Sequence, residues 1–393
     1  MEADKIDFIA GGTVTSPQGF CAGATDAGIK KKAEHRLDLG LLFSEVPCVV
    51  AGLLTTNKLK SAHISLCRER FQRGRAVALV ANSGCANAFT GEQGLADAAE
   101  MAALTATAIG AESEDVLVAS TGTTGQPLPM KLIRAGINQI IMSRDGGHEL
   151  ARAIMTTDTV PKETAVAVRV GDRKFTIGGV AKGSGMIHPN MATMFCFLTT
   201  DAAVELEFLR TALLQAVDIS FNMISVDGDT SPSDTVLIMA NGLAGNEPIT
   251  RGSQQADTFQ QALEQVCTYL AKALARDGEG ATRLIEVTVS GATNLADARL
   301  AARTIVSSSL VKTAVHGADP NWGRIIAALG RSGVEVVDTK IDLDIGDISL
   351  LKRGKALPYS EKSVVKVFEQ SEVPIRLCLN LGTASATAWG CDL

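Results

Sequence analysis

With 393 residues, 46% hydrophobic and 20% charged, the chain is long enough for a large core and too apolar to be disordered as a whole. A formal net charge of -6, 4% aromatic residues and the lack of any long Lys/Arg block exclude a nucleic-acid surface from the expected functions. No stretch reaches the roughly 18 apolar residues of a membrane span, and residues 1–7 carry charge where a secretory signal would be apolar, so a cytoplasmic protein without membrane contacts is expected. In chain order, Lys30-Lys31-Lys32 beside Glu34 and Asp38 reads as a solvated basic loop, and residues 76–80 as a strand. Residues 95–109 are Ala-rich, with apolar positions at helical spacing and Gly110 as a stop. A strand is expected at 116–119, a helix at 130–142 behind Pro129, and a strand at 164–170. Then come a helix at 204–217, a strand at 236–239, an exposed loop at 241–253, and a helix at 259–274 before Asp277-Gly278. Further strands are expected at 285–289, 334–343 and 375–379. Several strand segments are apolar at consecutive positions, so both faces of their sheet should be covered. Strands and helices mixed in this way point to a layered α/β or α+β fold.

Most familiar catalytic signatures are missing. There is no GxSxG elbow and no GxxxxGK[ST] loop. Eight cysteines form no CxxC pair and read as reduced, mostly buried thiols. The five histidines are dispersed, so no metal is expected. The run from Asp227 to Pro232 opens like a calcium loop, yet Pro232 stands where the sharp turn needs Gly, and the closing Glu is absent.

One segment carries chemistry. From Ala181-Lys182-Gly183-Ser184-Gly185 a loop with Pro189 and Asn190 leads to Ala192-Thr193 and directly into an apolar run, Met194 to Leu198. A Thr hydroxyl can attack the carbonyl carbon of its own preceding peptide, and the small Ala192 leaves that path open. Hydrolysis of the resulting ester would make Thr193 a new N-terminus. Its α-amine, with a reference pKa of about 7.7 to 8.0, is suited to act as base for its own hydroxyl near neutral pH.

This segment resembles the cleavage motif of the ornithine acetyltransferase (ArgJ, glutamate N-acetyltransferase) family, Lys-Gly-x-Gly-Met-Ile-x-Pro-Asn-Met-Ala-Thr-Met. Similar family segments recur along nearly the whole chain. They include Thr55-Thr56-Asn57, Asn82-Ser83-Gly84-Cys85-Ala86-Asn87-Ala88, Ser120-Thr121-Gly122 and Ala153-Ile154-Met155-Thr156-Thr157-Asp158. Later come Phe221 to Thr230, Asp277-Gly278-Glu279-Gly280-Ala281-Thr282, His316 to Arg324 and Ala388 to Leu393.

The resemblance implies a four-layer α/β/β/α sandwich of the DmpA/ArgJ-like type, shared with self-processing aminopeptidases. It implies cleavage between Ala192 and Thr193 into an α chain (1–192) and a β chain (193–393) that form one intertwined unit and assemble as an α2β2 heterotetramer. Thr193 then corresponds to the nucleophile, Thr121 and Gly122 to the oxyanion hole, and Thr156, Lys182, Thr193 and Glu279 to the substrate contacts. The implied reaction moves acetyl from N-acetylornithine to glutamate and releases ornithine, without a cofactor, and some members also accept acetyl-CoA as co-substrate. The alternative on the same fold is a self-processing aminopeptidase or amidohydrolase, with water as acceptor. Family members usually continue past Gly-Cys-Asp-Leu with a short tail that contacts substrate, whereas this sequence stops at Leu393.

Overall fold

The computed structural model describes residues 5–30, 36–188 and 194–393. In chain order these form β1 (Lys5–Phe8), β2 (Phe20–Thr25), β3 (Leu39–Leu54), α1 (Ala62–Arg73), β4 (Arg75–Cys85), α2 (Gly91–Ile109), β5 (Val116–Thr123), α3 (Met130–Ile137), α4 (Gly147–Ala153), β6 (Lys162–Val170), β7 (Arg173–Lys182) and β8 (Phe195–Thr200). There follow α5 (Leu206–Ile219), β9 (Ile224–Ser225), β10 (Thr235–Ala240), α6 (Ala256–Arg276), β11 (Leu284–Ala292), α7 (Leu295–Val306), α8 (Ser309–His316), α9 (Gly323–Gly330), β12 (Asp342–Ile345), β13 (Ile348–Lys352), β14 (Lys355–Ala356), α10 (Glu361–Phe368), β15 (Glu372–Cys378) and β16 (Ala384–Cys391). Two compact units result. The first comprises Met1–Gly183, Asn190–Asp218 and Thr230–Leu270, and the second Ser184–Pro189, Ile219–Asp229 and Ala271–Leu393. Sequence on both sides of Ala192-Thr193 contributes to each unit.

In the first unit the described residues form a nine-stranded sheet in the order β1-β6-β7-β8-β10-β3-β4-β5, with β2 also paired to β3. It is mixed: β8 runs parallel to β10 and β4 parallel to β5, while β6, β7 and β8 pair antiparallel. Successive side chains of a strand point to opposite faces, and β5 uses both. Val116 and Val118 pack with Met101, Ala102 and Ala106 of α2 and Ile133 of α3. Leu117 and Ala119 join a separate apolar cluster with Cys67 and Phe71 of α1 and Leu150 and Ala151 of α4. Consecutive apolar residues therefore mean cover on both faces, as expected from the sequence. Truncating Leu117 to Ala should cost about 2–5 kcal/mol. Helix α2 buries Gly94, Ala98, Met101, Ala102, Thr105 and Ala106, one stripe at helical spacing, and ends at Gly110 with φ 72°.

In the second unit a seven-stranded sheet has the order β14-β13-β12-β15-β11-β16-β9. Its centre, β11, pairs parallel with β15 and antiparallel with β16. Helix α7 packs on β11 and β16 through Ala298, Ala301, Ala302, Ile305 and Val306, and the Asn294 side chain caps its start by accepting from Asp297 N–H. Mixed sheets clad with helices make this an α/β protein.

Some sequence expectations give way to tertiary context. The helix expected at 130–142 ends at Ile137, because Ser143 forms a two-way backbone bridge with Ala22 and draws the chain out of the helix. The strand expected at 334–343 forms only at its end: residues 334–341 are irregular with a 3-10 turn at Asp338–Lys340, and Asp342 and Leu343 open β12. Its valines favour a strand, but ladder pairing with β15 begins only at Asp342 opposite Cys378. The loop expected at 241–253 is irregular as anticipated. Lys30, read as part of a solvated run, is half-buried; Lys31 and Lys32 lie outside the described residues.

Candidate active site

The site is built first by two parallel strands that end together. In the β4–β5 register Ser83 faces Thr121 and Gly84 faces Gly122. Gly122 has φ 123°, and a Cβ added there would lie 2.4 Å from the backbone carbon of Gly84. Position 122 therefore excludes a side chain twice over, by backbone conformation and by the close approach of β4. This leaves Gly122 exposed at the strand end, next to the buried Thr121.

Lys182, the last residue of β7, is buried and reaches this point. Its Nζ donates to Thr121 Oγ1 at 3.1 Å and to Thr156 Oγ1 at 3.1 Å. An ammonium has no lone pair to offer, so Thr121 must be the acceptor in that contact. The Thr121 hydroxyl proton is then directed elsewhere, and the neighbouring positive charge makes it a better donor to a developing oxyanion.

Below Lys182 lies a buried ion pair that sequence reading missed. Asp158 Oδ1 accepts from Lys162 Nζ at 2.7 Å and from Gly183 N–H at 2.7 Å, and Oδ2 accepts from Thr156 N–H at 2.9 Å. Burial by itself pushes this carboxyl up. The Lys182 and Lys162 charges and these hydrogen bonds outweigh it and bring the pKa down to about 2. Asp158 thereby fixes both Thr156 and the turn after Lys182. Its only sequence signal was its place in the Thr-Thr-Asp segment.

Two more buried polar groups lie nearby in the same unit. Thr235 N–H donates to Met194 O at 2.9 Å, which sets Asp234 beside the residue that follows Thr193 in sequence. Burial pushes the Asp234 carboxyl well above the usual carboxylate range against the pull of Lys182. His63, fully buried, lies with Nε2 3.1 Å from Ser233 O. Burial lowers its pKa to about 4, so it is neutral at pH 7.

In the second unit, Asp227 Oδ1 accepts from Ile187 N–H at 3.0 Å and Oδ2 accepts from Met186 N–H, which holds the turn after Gly185. Asp227 opens the run that resembled a calcium loop, and here its carboxylate holds a backbone turn instead. Glu279 N–H donates to Ser184 O at 2.9 Å, and a Cβ at Gly185 would meet the Glu279 carboxyl at 2.6 Å. His188 Nδ1 lies 2.9 Å from Ser225 Oγ.

Of the residues singled out in the sequence, Thr121, Gly122, Thr156 and Lys182 thus come together in the first unit, and Glu279 belongs to the second. Ala192, Thr193 and Asn190 lie outside the described residues. All eight cysteines are unpaired, six of them buried. Among the described residues no group of three or more His, Cys, Asp or Glu is placed to hold a metal ion, and no helix is long and apolar enough to cross a membrane.

The chain is 52% identical over 389 residues to the arginine biosynthesis bifunctional protein ArgJ of Dehalococcoides mccartyi, covering 99% of this chain and 96% of that protein. It is 45% identical over 396 residues to the protein of that name from Bacillus anthracis, covering 100% and 97%. A crystal structure of the Bacillus halodurans protein of that name superimposes with a TM-score of 0.49 at 47% identity, over 51% of this chain and 93% of that one. The model of the ArgJ family matches residues 21–393. The chain belongs to the ArgJ family.

Proposed function

We propose that the chain is an acetyltransferase of arginine biosynthesis that moves acetyl from N-acetyl-L-ornithine to L-glutamate through an acetyl-Thr193 intermediate, after cleaving itself between Ala192 and Thr193. Family membership supports the reaction class. The observation that carries the mechanism is the buried Lys182 ammonium, which donates to both Thr121 and Thr156 at the end of a parallel strand pair.

The steps follow from these groups. Thr193 Oγ attacks the acetyl carbonyl carbon, and the Thr193 α-amine takes the hydroxyl proton. The Thr121 hydroxyl and the Gly122 N–H stabilise the oxyanion. The tetrahedral species collapses, the C–N bond breaks, and ornithine leaves with the proton. The amine of glutamate then attacks the acetyl ester, N-acetylglutamate departs, and Thr193 regains its proton. Lys182 orients Thr121 and offers its charge to a substrate carboxylate, and Glu279 suits a substrate ammonium. No step passes through a metal or cofactor. Use of acetyl-CoA as a second donor, an α2β2 assembly of the 1–192 and 193–393 chains, and a cytoplasmic location belong to the same reading.

Initial rates with both substrates varied test it. A ping-pong route gives parallel double-reciprocal lines. Intersecting lines contradict the acetyl-enzyme, and acetylornithine hydrolysis outrunning transfer to glutamate favours the amidohydrolase alternative.

A further inference from the structure

A cavity of about 620 Å³ opens beside Thr156 in the first unit. Among the described residues three cationic side chains from different stretches of the chain line it: Lys30 after β2, Arg36 before β3, and Arg152 from α4. The hydroxyl residues Thr156, Thr157 and Thr159 add to the polar wall. Among the described residues the one carboxylate in the lining is Asp158, which is already committed to Lys162, Gly183 N–H and Thr156 N–H. Asp38, close to Lys30, is likewise occupied, accepting from the backbone N–H groups of Ala27, Ile29 and Lys30. Arg36 and Arg152 are exposed. Lys30 is drawn inward by a bond from Nζ to Leu37 O at 3.1 Å.

Three cations that converge on one cavity repel each other unless an anion joins them. Arginine guanidinium groups present paired donors that match the oxygens of carboxylates and phosphates. Thr156 connects this cavity to the reacting centre, since its Oγ1 accepts from Lys182.

We propose that this cavity is an anion subsite of the acyl-transfer centre, where Lys30, Arg36 and Arg152 hold the oxyanion-bearing end of a substrate while its reacting end lies at Thr121. Two sources supply that chemistry: the side-chain carboxylate of the acceptor amino acid, and the phosphates of a nucleotide-borne thioester donor. The size of the cavity lies within the range of about 300–1,000 Å³ typical of sites for drug-sized ligands. The nature of the ligand rests on the acyl-transfer reading; the existence of the anion site does not. Lys30 adds a pH dependence. Burial, with Arg36 and Lys182 acting in the same direction against Asp38 and Asp158, lowers its pKa to about 8. Anion binding therefore weakens as pH rises through that value.

The test uses full-length protein at low salt, wild type beside an Arg36→Gln/Arg152→Gln double variant, with pyrophosphate and glutarate as calorimetric probes. Wild type should bind at least one probe, and the double variant should bind it about tenfold to a hundredfold more weakly. If pyrophosphate is the probe affected, KM for acetyl-CoA rises by a similar factor; if glutarate, KM for glutamate rises. No binding of either probe to wild type, or equal binding by the variant, overturns the proposal. Probe binding that the variant loses, in a protein without acetyl transfer, upholds the anion site and instead overturns the functional reading. Both arginines are exposed, so an unchanged melting temperature should verify that the variant folds.

Discussion

Lys182 at the end of β7 and Lys312 in α8 are both buried, 8% and 1% exposed, yet different groups receive their ammonium ions. Lys182 donates to the side-chain hydroxyls of Thr121 and Thr156. Lys312 donates to the backbone carbonyl of Cys391 at 2.6 Å and lies 3.4 Å from that of Ser225. Burial lowers the Lys312 pKa against the pull of Cys391, Asp227 and Asp392. A hydroxyl can rotate and pass its hydrogen bond to a ligand at little cost, whereas a strand carbonyl cannot leave without disturbing the sheet. One buried lysine is thus held ready for exchange, and the other ties α8 to the ends of β16 and β9. Burial of a charge does not mark a functional site by itself; the exchangeability of its partners does.

The comparison can be broken or sharpened experimentally. Lys182→Met should reduce acetyl transfer by about a thousandfold, through loss of both the proposed substrate charge partner and the bond to Thr121, while the protein stays folded. A loss of less than tenfold would make Lys182 as structural as Lys312. Next, Thr121→Val should lower kcat by about a hundredfold with little change in KM if, as proposed, the hydroxyl acts on the oxyanion. A change confined to KM would place Thr121 in ground-state binding instead.

A third test concerns acid stability. The Asp158 pKa is about 2 in the folded chain, below the unfolded value of about 3.9. A lowered folded pKa gives stability that is fully present above the unfolded value and is lost as pH falls from about 4 through about 2. Denaturant unfolding should therefore show about 2 kcal/mol lost across that window, and Asp158→Asn should remove that portion of the slope. An unchanged slope in the variant would deny the ion pair its role. The smallest effect belongs to Lys312→Met, which should cost about 1–2 kcal/mol in stability and leave kcat of the folded enzyme unaltered. A loss of kcat there would erase the distinction between the two lysines.

The sequence made much of this legible, but unevenly. Segments long enough to show a period, such as 95–109 and 259–274, appear as α2 and α6 with one or two turns added. The 334–343 segment misled because strand propensity is expressed only where a neighbouring edge exists. Thr121, Gly122, Thr156 and Lys182 came from family-like motifs, and the fold unites residues 61 positions apart in sequence. Gly122 could be read as a turn residue, but not as the glycine that lets β4 and β5 touch, because that contact depends on register. Asp158 stood in the sequence only as the end of a family-like Thr-Thr-Asp segment, and Lys162 carried no signal. Nothing local reveals that their side chains are 0% and 1% exposed, since that burial is set by strands far away in sequence. Lys30 shows the same limit: a basic run says nothing about which of its members turns inward.

The central claim is that Thr193 becomes the N-terminal nucleophile. Intact mass under denaturing conditions, wild type beside Thr193→Ala, tests it most directly. The account predicts two fragments that divide between Ala192 and Thr193 in wild type and one unbroken chain in the variant. A single full-length chain in both would remove the terminal-amine base and contradict the mechanism.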